Sequence, residues 1–273
     1  MSHPIKAQHK PTWPSYTGID QYVGTSPSGR VAVYVDPSLG APALQNAQDL
    51  VGDADRVVNA NDAIFGSPGG RVSVIIFALD GRTDGTGGAD HNGCDYTSGD
   101  AIEVCAAFGN SARVSALFEA ELSECSMGGN LCGVSTGEAL SRWCAASVSG
   151  NALADFATAP TWAQAGMPDY VTKTDNTDQS AVSTGCGMAF LSWLKQSGFG
   201  LNKIAPAMVN LGTSGTLAQL YATLTRESAT NAWPKFRTAV KALPHVVNDD
   251  PFGASARAEK KNLASKSRKR RIR

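Results

Sequence analysis

Apolar residues cluster first in short contiguous runs and later at helical spacing. Arg30–Asp36 (RVAVYVD), 71–79 (RVSVIIFAL) and 101–108 (AIEVCAAF) are rich in Val and Ile and bounded by Gly, Pro or Asp. Each reads as a strand, and 71–79 has the look of a buried one. Between the first two, Leu44, Ala47, Leu50 or Val51, Ala54 and Val57 or Val58 recur at helical spacing, predicting a helix from Ala41 to about Phe65. GSPGG (66–70) then turns the chain. Helices are predicted from Arg113 to about Ser126, capped by Asn110 or Ser111, and from Gly137 to about Ala146. Another opens at Asp178 or Ser180, runs through GMAFLSWLKQ and ends at Gly198, and shorter ones follow near 201–209, 216–225 and 232–242. Residues 150–176, with Pro160, Trp162 and Pro168, read as irregular.

Strands early and helices late predict an α+β fold. The expected organisation is an irregular N-terminal arm over 1–28 and a single domain over 29–253, with its sheet part at about 29–110 and its helical part at about 111–253. A basic tail, 254–273, is expected to be disordered. No apolar run reaches the length of a membrane span, and no signal-peptide core is visible near the start.

The formal net charge of zero hides an asymmetry. Residues 257–273 hold nine Lys or Arg and one acid, leaving 15 basic and 23 acidic residues elsewhere, a balance of −8. An acidic body does not suit specific nucleic-acid binding, which needs clustered cations, whereas the tail SKSRKRRIR suits contact with anionic polymers. Six cysteines without a CxxC pair suggest disulfides and an oxidising, exported or extracellular setting. The expected pairs are Cys94–Cys105, closing a glycine-rich loop, then Cys132–Cys186 and Cys125–Cys144.

Three stretches carry candidate chemistry. The first is ALFEAELSECSMGGNLCGVSTGEALSRWCA (116–145), a helix with an inner Glu, a loop, and a second helix with Glu138. Glu121 and Glu124 share a helix face three residues apart, and Glu119 lies opposite. A cleft beside such a pair would raise one carboxyl pKa and give acid–base chemistry of a glycosidase kind. Ser135 and Glu138 also have the spacing of a capping box. The second stretch, GVSTG (133–137), matches a nucleophile elbow with Ser135, Asp175 or Asp178, and His245 in hydrolase chain order, but no buried strand precedes it. The third is the loop 80–100, where Asp80, Asp84, Asp90, Asp95 and Asp100 offer oxygen ligands for calcium and His91 is a possible base or ligand. No other cofactor is indicated.

FEAEL (118–122) and GEAL (137–140), with the order strand, helix, strand, edge strand, helix, glutamate helix and closing helices, resemble the gluzincin, or peptidase MA-like, metallopeptidases. The chain is also similar to bacterial proteins of a secreted type to which no activity is attached. The gluzincin resemblance implies a zincin-like fold, with Glu119 at the general-base position and Glu138 at the third zinc-ligand position. The two histidine positions hold Phe118 and Leu122, which offer zinc no lone pair. The implied protein is thus a scaffold without its zinc site, binding an extended peptide or glycan beside an Ile102–Phe108 edge strand. The alternative is an unconventional hydrolase using Glu119, Glu121, Glu124 and Glu138.

Overall fold

The computed structural model describes residues 11–98 and 101–253. The chain is mixed α/β, about 52% helical with one five-stranded sheet. It divides into two compact units: one holds the chain up to Ala63 with Ser67–Gly129 and Ser147–Ala152, and the other holds Ile64–Gly66, Asn130–Ala146 and the chain from Leu153.

The first unit is built on the sheet. Its strands are β1 (Gln21–Thr25), β2 (Val31–Val35), β3 (Val72–Phe77), β4 (Ala89–His91) and β5 (Ala101–Cys105), in the order β1-β2-β3-β5-β4. The central three run parallel, and β1 and β4 pair antiparallel at the two edges. Helix α1 (Gly40–Phe65) makes the crossover from β2 to β3, the connection that a parallel pair requires. Helix α2 (Ser111–Ser126) follows β5, its N-terminus capped by the Asn110 side chain accepting from Arg113 N–H. All five residues of β2 and all five of β5 are buried. Those strands are therefore covered on both faces, which accounts for their unbroken apolar runs. On one face, Ala32, Tyr34, Ile75 and Phe77 pack with Trp13, Tyr16 and Leu79.

The sequence reading departs from this sheet in three places. β1 lies inside the expected irregular arm; its residues are half-buried or exposed, so apolar patterning does not mark it. β4 lies inside the expected 80–100 loop and is a three-residue strand, Ala-Asp-His, held by its pairing with β5. The expected Ile102–Phe108 edge strand is interior: β5 ends at Cys105 and sits between β3 and β4, and β4 is the edge.

The second unit is helical. It contains most of α3 (Ser135–Ser149), then α4 (Ala159–Gln164), α5 (Ala181–Gln196), α6 (Leu201–Leu211), α7 (Leu217–Thr225) and α8 (Ala232–Lys241). Ser180 caps α5 by accepting from Ser183 N–H. A Cβ on Gly185 would lie 2.2 Å from the Thr158 carbonyl oxygen, so glycine is what allows α5 to approach the start of α4. Trp162 stacks on Phe236 at 5.6 Å, and Phe190 meets the same ring edge-on at 5.1 Å. No described helix is long and apolar enough to cross a membrane. The basic tail lies outside the described residues.

Candidate metal centre

Two elements of the first unit bring three ligand-bearing side chains together. Strand β4 supplies His91, which pairs across the ladder with Ile102. The segment after it is pinned at several points. Asn92 N–H donates to Ala101 O, and Gly129 N–H donates to Cys94 O. The Asp95 carboxylate accepts from the backbone and hydroxyl groups of Thr97 and Ser98. The hydroxyls of Tyr96 and Ser126 lie 3.3 Å apart. Helix α2 supplies Glu121 and Glu124 from one face, the i,i+3 arrangement expected of them.

His91 Nε2 is 3.0 Å from Glu124 Oε2 and 3.8 Å from Glu121 Oε2. One ligand atom from each of the three residues falls within 4.8 Å of the others. The side chains are 11%, 15% and 18% exposed for His91, Glu121 and Glu124, so the cluster is shielded but open to solvent. His91 Nδ1 is buried without a hydrogen-bond partner of ordinary geometry. Burial by itself pulls the His91 pKa down, but the bond to Glu124 and its charge outweigh it, and the net displacement is upward. The adjacent Cys125 thiol is pushed up to about 12 by burial and then by Glu121, Glu124 and Asp95, so it stays protonated. One imidazole and two carboxylates make a mixed nitrogen–oxygen donor set, which suits first-row divalent ions such as Mn²⁺ or Zn²⁺.

The other expected site residues lie elsewhere. Phe118 and Leu122 are 0% and 1% exposed in the core, so the two-histidine zinc register of the gluzincins does not fit this helix. Glu119 does not join Glu121 and Glu124. It is fully buried, and among the described residues neither carboxylate oxygen has a hydrogen-bond partner. Burial holds its pKa well above the usual carboxylate range, with the Arg56 charge pulling the other way. Glu138 belongs to the second unit and accepts from Arg142 Nε at 2.6 Å. The capping box is not formed: Glu138 N–H donates to Val134 O, and Ser135 N–H to Asp175 O. The elbow reading also fails. Ser135 is buried in the first turn of α3 with no strand before it, and among the described residues no hydrogen bond joins it to the exposed His245.

Nor do the calcium candidates converge. Asp84 closes a turn onto Thr86, Asp95 onto Thr97 and Ser98, and Asp90 accepts from His91 N–H. Asp80 sits in a short 3₁₀ segment. Among the described residues the one cluster able to hold a metal is His91–Glu121–Glu124, which takes none of these aspartates; Asp100 lies outside the described residues.

The disulfide is Cys94–Cys132. None of the three expected pairs forms, and Cys105, Cys125, Cys144 and Cys186 are buried thiols. Cys105 ends β5 with its Sγ 3.4 Å from Arg82 O, turned toward the chain after β3. Spacing along the sequence does not contain that geometry.

The sequence separates the Glu121/Glu124 face from Glu119 and offers His91 as a base or ligand of the 80–100 loop, but nothing in it joins His91 to those two carboxylates. The missing signal is β4, whose three polar or small residues show no strand periodicity. The chain matches no protein-family model, and no curated protein is significantly similar to it.

Proposed function

We propose that this protein is a zincin-like, hydrolase-type scaffold in which the former two-histidine register has become core, and that it binds a divalent cation one turn further along α2 at His91, Glu121 and Glu124. The convergence of three ligand atoms within 4.8 Å carries the reading. The order of elements supports it: strand, crossover helix, strand, antiparallel edge strand, strand, and then a helix whose carboxylates meet that edge strand. Peptides or glycans remain the substrate or ligand classes this architecture suggests. Isothermal titration with MnCl₂ and ZnCl₂ tests the site. One equivalent should bind the parent protein, with affinity falling at least tenfold in His91→Ala and in Glu121→Gln/Glu124→Gln. Absence of binding of either ion at millimolar concentration defeats the cation reading.

The 3.0 Å contact between His91 and Glu124 favours a second reading, metal-free acid–base hydrolysis by the His91, Glu121 and Glu124 set. Hydrolysis of a peptide library or of aryl glycosides that survives chelator but is lost in Glu124→Gln would select it over the first.

A further inference from the structure

Across the sheet, Tyr34, Ile75, Glu103 and Asp90 are register partners in one row. His91 and Ile102 form the neighbouring pair, so Glu103 points to the face opposite the cation cluster. Glu103 is 0% exposed. A carboxylate buried on a strand among apolar neighbours needs donors that remain in place. Among the described residues, its three donors all come from one short stretch, Trp13-Pro14-Ser15-Tyr16. Glu103 Oε1 accepts from Ser15 N–H at 2.9 Å and Tyr16 N–H at 2.6 Å, and Oε2 accepts from the Ser15 hydroxyl at 2.6 Å. Two rings flank this clamp: Trp13 meets Tyr34 edge-on at 5.4 Å, and Tyr16 meets Phe77 at 4.9 Å.

The stretch itself is irregular, and among the described residues no backbone–backbone hydrogen bond ties 11–19 to the rest of the unit. Its anchoring is by side chains and by one carboxylate reading two successive amides. That is how a protein surface recognises a peptide, not how a sheet builds a strand. Pro14 lowers the cost of fixing the backbone ahead of the two donated N–H groups.

We propose that this sheet face is a peptide-binding groove occupied in cis by the chain's own N-terminal segment, and that it accepts in trans a segment with the pattern aromatic–Pro–Ser/Thr–aromatic. Covalent attachment gives the arm a high effective concentration, so a free peptide competes only when the arm is released.

The test uses the full chain with a specific protease site inserted after Gly18, cut after folding so that every residue remains present. Binding of a fluorescein-labelled peptide, PTWPSYTG (residues 11–18), is then followed by anisotropy. The nicked protein should bind it saturably and at least tenfold more tightly than the uncut protein, and Glu103→Gln should weaken that binding at least tenfold. Equal binding before and after cutting, or no effect of Glu103→Gln, overturns the proposal. Hydrogen exchange on the intact chain gives an independent decision if the nicked form does not stay folded. The Ser15 and Tyr16 amides should exchange at least tenfold faster than Val104 in β5. Exchange at the Val104 rate would make the arm part of the folding core and end the idea.

Discussion

At the scale of single residues, helix α2 shows how one motif position can serve opposite purposes. Phe118 fills core space with no exposed surface, so its truncation leaves a cavity that neighbouring side chains close only in part. Phe118→Ala is expected to lose about 3–5 kcal/mol in chemical denaturation. Glu119, next in the chain, is buried, and among the described residues neither of its oxygens has a hydrogen-bond partner. Its folded pKa is raised, first by burial, so it opposes folding as pH rises above the unfolded carboxyl value of about 4.3 and as the folded group approaches ionisation. Glu119→Gln removes that ionisation. It should raise the melting temperature at about pH 8, with the gain shrinking as pH falls toward the unfolded carboxyl value of about 4.3. A gain independent of pH would show that Glu119 is not the titrating group.

At the scale of elements, the first unit is tied together by side chains from α1. Asn46 Oδ1 accepts from Ala107 N–H at 3.0 Å, just past the end of β5, and Asn46 is 1% exposed. Asp49 accepts from the Ser111 hydroxyl and Asp53 from the Ser115 hydroxyl, which fixes the start of α2 against α1. That placement sets which face of α2 meets β4, and hence where Glu121 and Glu124 point. Asn46→Ala leaves the buried Ala107 amide without its acceptor and should cost about 1–3 kcal/mol in urea unfolding. Most elements were legible beforehand. Helices α1, α2, α5, α6, α7 and α8 and the three parallel strands fall within a few residues of their predicted spans, because each buries a long apolar face. Three elements were missed: β1 and β4, short edge strands whose order comes from a neighbour's backbone and not from their own side chains, and α4, a six-residue helix inside the 150–176 stretch read as irregular.

At the scale of the whole molecule, the Cys94–Cys132 disulfide joins positions 38 residues apart in the chain. In the chain-entropy description such a closure contributes about 4 kcal/mol by restricting the unfolded chain. Replacing both residues by Ser should lower stability by about that amount in denaturant titrations, and adding reductant to the parent protein should have the same effect. Unchanged stability on reduction would show that the closed loop confers no net advantage. By itself, the sequence determined the segments that must be buried, the rhythm of strands then helices, and the shared face of Glu121 and Glu124. These follow from local periodicity and apolar content. Only the tertiary structure decided that His91 meets those carboxylates, that Glu103 holds Ser15 and Tyr16, and which cysteines pair. Each of those contacts joins residues tens of positions apart, and their geometry depends on strand order and register, which no local pattern encodes.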